Sequence, residues 1–187
     1  MEAMLLQPCG KDYLWGGTNL KHLYNKSIDM TPLAKTWECS VHSDGPSKVK
    51  NGCNAGETLR DVLCAHPEFL GEKYRNYGEL PILAKFIDAK QDLSIQVHPD
   101  DEYARIHENQ NGKTEMWYVL HAEEGASLVC GFAYDVNPQI LREAIETDTL
   151  TKHLQKVSVH AGGCVFNISR DNTCNRFRSN KLKKILM

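Results

Sequence analysis

Apolar and polar residues alternate from Leu93 to His98, and this is the clearest pattern in the sequence. Successive side chains of a β-strand point to opposite faces, so the segment is predicted as a strand whose polar face carries Ser94, Gln96 and His98. Further short apolar segments predict strands at 82–87, 116–120, 127–132, 157–159 and 164–168. Short strands at regular spacing predict a mainly β fold, either a barrel or a sandwich.

Two helices are predicted among these strands. Thr58 is placed to cap the first, whose apolar residues recur at helical spacing before Pro67 ends it. Asn137 is placed to cap the second, with Pro138 at its first position. The expected architecture is therefore a β fold decorated by a few helices.

Composition narrows the possible functions. Of the 187 residues 41% are hydrophobic, which suffices for one domain with a core. Lys and Arg total 22 against 24 Asp and Glu, a balance that argues against a nucleic-acid binder or a polybasic membrane anchor. No apolar run reaches the roughly 18 residues of a membrane span, and no signal peptide is expected. The seven cysteines are scattered and lack a CxxC pair, which predicts a reduced, cytoplasmic protein.

A polar strand face inside a small barrel needs partners, because an unsatisfied buried polar group costs roughly 1–3 kcal/mol. A metal ion is one such partner, and Gln96 and His98 lie two positions apart on the same face. Glu115 opens the next strongly apolar strand and is a candidate third ligand. Such a mixed nitrogen and oxygen set suits a catalytic zinc ion. The pattern alone leaves simpler interpretations open: a hydrogen-bonded histidine, a surface amide and a solvated strand end.

Four segments of the chain make a more specific pattern. They are YLWGGTNL (Tyr13–Leu20), TWECSVHSDGPS (Thr36–Ser47), AKFIDAKQDLSIQVHPDDEYA (Ala84–Ala104) and GKTEMWYVL (Gly112–Leu120). With these segments the sequence resembles the type I mannose-6-phosphate isomerases, and the resemblance extends from about Leu14 to Ile168. It implies a cupin-like β-barrel, or jelly roll, that interconverts mannose 6-phosphate and fructose 6-phosphate.

The resemblance also implies roles for individual residues. Gln96, His98 and Glu115 match ligands of one zinc ion per chain, and Lys113 matches a catalytic acid/base or substrate-contacting lysine. Ser94 matches a serine expected near the sugar phosphate. Zinc can stabilise an enediolate as a Lewis acid during aldose–ketose isomerisation. Asp100 and Asp101 are predicted to cap a helix after Pro99, and Trp117 is predicted to be core or pocket wall.

The end of the sequence departs from the family pattern. The family continues after 164–168 with PxGTxHAxG, whose histidine is the fourth zinc ligand, whereas residues 169–187 read SRDNTCNRFRSNKLKKILM. If the codons that encode this segment are read in a frame shifted by one nucleotide, they can encode P-[GA]-T-I-H-A, which matches the start of the missing motif. We therefore expect a cupin-type domain at 1–168, incomplete at its C-terminus, and an out-of-frame tail at 169–187 with little regular structure.

Two functions follow from this reading. The first is a zinc-dependent isomerase acting on a sugar phosphate, weakened or inactive in this form. The alternative is a non-catalytic cupin fragment with at most weak binding of sugar phosphate or metal. His160 is a candidate substitute for the fourth ligand but is disfavoured. Neither nucleic acid nor membrane is expected as a partner.

Overall fold

The computed structural model describes residues 3–76, 79–91, 93, 96–109, 111–167, 174–176 and 182–186. The chain divides into two compact units, 1–88 with 185–187 and 89–184. Within the described residues no helix is long and apolar enough to cross a membrane.

Short strands and short helices make up the first unit. Its strands are β1 (Leu6–Gln7), β2 (Cys9–Lys11), β3 (Lys35–Cys39), β4 (Lys48–Val49) and β5 (Ala84–Asp88). Its helices are α1 (Asn19–His22), α2 (Leu59–Ala65), a 3-10 helix (Pro67–Leu70) and α3 (Gly71–Tyr74). β3 lies between β2 and β5 in an antiparallel arrangement, and β1 pairs with β4.

The buried carboxylate of Asp88 forms hydrogen bonds to Asn19, which lies 69 positions earlier in the chain. The Asp88 side chain, in a residue only 2% exposed, accepts the Asn19 backbone N–H at 2.6 Å and the Asn19 side-chain amide at 3.1 Å. The N–H of Gly17 donates to the Asp88 carbonyl at 3.0 Å. A Cβ on Gly17 would lie 2.4 Å from Asp88 Oδ2, so this close approach requires glycine.

The second unit contains the strand predicted to carry the polar face. Its strands are β6 (Gln96–Val97), β7 (Glu115–Ala122), β8 (Ser127–Phe132), β9 (Leu154–Ser158), β10 (Cys164–Asn167) and β11 (Cys174–Arg176). Its helices are α4 (Asp101–His107), α5 (Pro138–Glu146) and a 3-10 helix (Leu150–Lys152). β11 pairs with β6 on one side and β8 on the other, β8 pairs with β9, and β7 pairs with β10, all antiparallel. A further strand, β12, spans Leu182–Leu186.

The mainly β fold class predicted from the sequence is confirmed, and so are both helix starts. Thr58 Oγ1 accepts the Asp61 N–H at the start of α2, and Asn137 Oδ1 accepts the Ile140 N–H at the start of α5. Each cap supplies an acceptor that the first turn of a helix lacks.

One expectation about strands can be followed only in part in the described residues, and another needs correction. The strand predicted at 93–98 is described only as Gln96–Val97, with 94 and 95 outside the described residues. The expectation of little regular structure in 169–187 is wrong for Cys174–Arg176 and Leu182–Leu186, which are strands. The backbone groups of β6 and β8 offer β11 hydrogen-bond partners on both sides, and such pairing does not depend on an apolar period in the added segment.

Candidate active site

Glu115 belongs to the buried face of β7. Trp117 and Val119, two and four residues further on, are buried, whereas Tyr118 between them is exposed. Because strand side chains alternate, Glu115 points to the same side as the buried pair. Its side chain is only 11% exposed. A carboxylate in such a position needs hydrogen-bond donors or cations around it.

At least three groups meet this carboxylate. His98 Nε2 lies 3.0 Å from Glu115 Oε2, and the indole N–H of Trp117 donates to the same oxygen at 3.1 Å. The ammonium of Lys113 lies 2.9 Å from the other oxygen, Oε1. The His98 side chain is 6% exposed and that of Lys113 is 43% exposed. The arrangement therefore has a buried side and a side open to a ligand.

The open side leads into a cavity of about 420 Å³. Its walls are formed by Gln96, His98, Pro99, Glu108, Asn111, Gly112 and Lys113. The volume falls in the range of small-molecule sites. The lining offers amide, carboxylate, imidazole and ammonium groups, which suits a polar ligand rich in oxygen atoms.

Two side chains at this site, those of His98 and Glu115, nearly match the spacing that a zinc ion requires of its ligands. A tetrahedral ion with bonds of about 2.1 Å holds its ligand atoms roughly 3.4 Å apart. The 3.0 Å between His98 Nε2 and Glu115 Oε2 needs only a small widening to reach that spacing. Among the residues that the structure describes, no group of three or more His, Cys, Asp or Glu side chains could hold a metal. A zinc ion here therefore needs the amide of Gln96, on the same cavity, as a further ligand.

The structure brings together most of the site residues selected from the sequence. Glu115 contacts His98 and Lys113 directly, and Gln96 lines the same cavity as both. Ser94 lies outside the described residues. His160, the disfavoured substitute ligand, is exposed, with its Nδ1 3.0 Å from the Ala161 carbonyl.

Of the two aspartates predicted to cap a helix, Asp100 and Asp101, only one does so in the structure. Asp100 caps α4, since its Oδ1 accepts the Tyr103 N–H at 2.8 Å. The prediction that Asp101 is also a cap is wrong, because its Oδ1 accepts the N–H of Gly112, eleven residues along the chain. No sequence pattern indicates this bond, since it depends on how a loop returns to the turn.

Trp117 is buried, as the sequence predicted, but it also takes part in the site. Its N–H donation to Glu115 was missed by reasoning from the sequence. A signal was present, because a buried indole N–H requires an acceptor and Glu115 lies two residues away on the same strand face.

Comparisons with known proteins identify the family of this chain. Residues 4–125 match the family model for the catalytic domain of type I phosphomannose isomerase. A probable mannose-6-phosphate isomerase of Bacillus subtilis, GmuF, is 38% identical over 160 residues, covering 85% of this chain and 50% of that protein. A mannose-6-phosphate isomerase of Streptococcus mutans is 36% identical over 161 residues, covering 86% of this chain and 50% of the relative.

Solved structures give the same result. The crystal structure of a mannose 6-phosphate isomerase from Bacillus subtilis superposes with a TM-score of 0.86 at 31% identity, covering 98% of this chain and 56% of that one. The fold is thus the cupin-like fold implied by the sequence resemblance. The chain spans about half the length of the curated relatives it matches. With the family model extending over most of its residues, the chain belongs to the type I phosphomannose isomerases.

Proposed function

We propose that this chain carries the zinc-dependent aldose–ketose isomerase site that interconverts mannose 6-phosphate and fructose 6-phosphate. The observation that carries the proposal is the meeting of His98, Lys113 and Glu115 at one polar cavity in a member of this family. The named activity of the relatives supplies the substrate. A sugar phosphate also matches the polar lining of the cavity.

Gln96, His98 and Glu115 are proposed to hold the zinc ion. Zinc, when bound, supplies Lewis-acid stabilisation of negative charge on adjacent sugar oxygens. Trp117 fixes the rotamer of Glu115 by donating to Oε2, so the carboxylate is oriented before a ligand arrives. Burial of His98 and Glu115 keeps bulk water from competing with a sugar at this end of the cavity.

Lys113 is proposed as the acid/base or substrate-contacting group. Isomerisation moves a proton between C2 and C1 of the sugar, and a group at the cavity wall must pass that proton. The Lys113 ammonium is held at the wall by Glu115 Oε1 and is accessible, which is the placement such a group requires. Ser94 is proposed, on the family resemblance, to contact the sugar phosphate.

The turnover of this particular chain is proposed to be weakened or absent. The resemblance implies a fourth ligand, a histidine in the motif PxGTxHAxG. The 187 residues do not contain this motif. With three protein ligands instead of four, zinc would be held more weakly. The second candidate function, a non-catalytic fragment that binds metal or sugar phosphate weakly, is favoured by this three-ligand set.

The test combines zinc titration calorimetry with an assay of fructose 6-phosphate formed from mannose 6-phosphate. We expect about one zinc per chain, at least 10-fold weaker binding in His98→Gln, and normal zinc binding in Lys113→Met with loss of any turnover. Lys156→Met removes a lysine from the exposed part of β9 and serves as the matched control.

Each outcome separates the two candidates. Zinc binding with measurable turnover supports the isomerase, and zinc binding without turnover supports the non-catalytic fragment. Where the parent has measurable turnover, the assignment of Lys113 is refuted if Lys113→Met turns over at the same rate. The zinc site is refuted if His98→Gln and the parent bind zinc equally.

A further inference from the structure

The loop that delivers Lys113 to the cavity is fastened to the turn that follows β6. The backbone N–H of Lys113 donates to the Pro99 carbonyl at 3.2 Å. One residue earlier, the N–H of Gly112 donates to Asp101 Oδ1 at 2.9 Å. Pro99 directly follows His98, so the loop is fixed against the same piece of backbone that carries a proposed zinc ligand.

The fastening brings two backbones unusually close. A Cβ built on Gly112 would lie 2.5 Å from the carbonyl carbon of Asp100 and 2.5 Å from the nitrogen of Asp101. Real side chains do not tolerate such distances, so residue 112 must be glycine for the loop to reach the turn. Asp101 can receive the Gly112 N–H only because the loop comes this near.

The two oxygens of Asp101 serve different neighbours. Oδ1 accepts from Gly112, whereas Oδ2 lies 3.6 Å from Nη2 of Arg105, one turn along α4. The side chains of this ion pair are 64% and 62% exposed, so the pair is of the weak surface kind. Neither interaction caps α4, which is the function of Asp100. The bond to the loop can therefore be removed separately from the cap.

We propose that Asp101 is a positioning residue for Lys113. Its carboxylate holds Gly112 against the turn, and this places the next residue so that the Lys113 ammonium meets Glu115 beside His98. The catalytic consequence rests on the isomerase function proposed above. The placement of the lysine is a geometric consequence and does not depend on that function.

Four variants test the proposal. Asp101→Ala removes the acceptor, and Asp101→Asn keeps an oxygen in the same place. Gly112→Ala breaks the contact from the other side. Arg105→Ala removes only the ion pair and is the matched control.

The first measurement does not need turnover. Lysines are reductively methylated with ¹³C, and the Lys113 resonance is identified from its absence in Lys113→Arg. Amide hydrogen exchange of Gly112 is followed in the same proteins. In Asp101→Ala and Gly112→Ala we expect the Lys113 signal to move towards that of solvent-exposed lysines. We also expect exchange at Gly112 to accelerate at least 10-fold in Asp101→Ala. Asp101→Asn and Arg105→Ala should resemble the parent.

The second measurement uses turnover and zinc binding. Asp101→Ala should lower kcat by about 10- to 100-fold, the usual effect of removing a group that orients a reacting one. KM and zinc affinity should change by less than about 3-fold, whereas general damage to the site would weaken both. Asp101→Asn should recover most of kcat.

The two measurements keep the proposals distinguishable. An inactive parent whose Lys113 signal still moves in Asp101→Ala favours the non-catalytic candidate over the isomerase and supports the positioning role. An unchanged Lys113 signal and unchanged exchange at Gly112 in Asp101→Ala overturn the positioning role. An equal loss in Arg105→Ala overturns it as well, because that variant leaves the loop bond intact.

Discussion

Removal of the Glu115 carboxylate tests the whole buried site, because at least three groups converge on it. In Glu115→Ala the Trp117 indole and the His98 ring each lose a buried partner, at roughly 1–3 kcal/mol apiece. Lys113 is 43% exposed and can turn to water, so its lost ion pair adds at most about 1 kcal/mol. The sum, about 2–7 kcal/mol, spans the usual cost of breaking a buried ion pair, roughly 3–5 kcal/mol.

Glu115→Gln should be milder. With the amide oxygen in the place of Oε2, it can still accept from the Trp117 indole and from an N–H at His98 Nε2, whereas the amide N–H₂ replaces Oε1 and loses the Lys113 ammonium, which can turn to water. We expect a loss of about 1–2 kcal/mol, mainly from replacing charge-assisted hydrogen bonds by neutral ones. The expected order of stability is therefore parent, then the glutamine variant, then the alanine variant.

Urea unfolding followed by tryptophan fluorescence, with EDTA present, measures these differences. Glu124→Ala removes a glutamate from the exposed turn between β7 and β8 and should change stability by less than about 0.5 kcal/mol. A repeat with zinc at 100 times its Kd should stabilise the parent by about 2.7 kcal/mol and the variants by less. An alanine variant that loses less than about 1 kcal/mol in EDTA would refute the network as the source of stability.

Three further predictions concern other parts of the chain. Gly17→Ala should destabilise the protein by about 1–3 kcal/mol, because its Cβ meets the buried Asp88 carboxylate; thermal unfolding equal to the parent would contradict this. Asn137→Ala should cost about 0.5–2 kcal/mol through loss of the α5 cap, and recovery by a serine at that position is the control. Burial raises the pKa of the Cys39 thiol, so at pH 8 its thiolate fraction is low and iodoacetamide should modify it more slowly than the exposed Cys53. Equal rates, read by mass spectrometry of the peptides, would count against that burial.

The sequence alone was sufficient to select elements whose side chains meet at the candidate site. Alternation along 93–98 put Gln96 and His98 on one face, and the acid that opens the next apolar strand was singled out as their partner. The structure joins His98 to Glu115 at 3.0 Å. Such predictions succeed because strand period and burial are local properties, written directly in neighbouring residues.

The contacts that hold the site together could not be predicted in the same way. The bond from Gly112 to Asp101 depends on a loop returning to a turn, and neither residue has an apolar period to indicate it. Strand β11 is a second case. Its own residues have no clear pattern, which predicts little regular structure, yet it pairs with β6 and β8. Its conformation is set by the edges beside it, which the segment itself does not encode.

The buried link between Asn19 and Asp88 also governs the order in which the chain can fold. These residues are 69 positions apart, and closing a loop of that length costs about 4 kcal/mol beyond a constant. The four residues of α1 are far too few to form a helix unaided. During synthesis at about 5–20 residues per second, α1 must therefore wait roughly 3 to 14 seconds for its carboxylate to be made. For that interval the segment that contains α1 is open to chaperones and proteases.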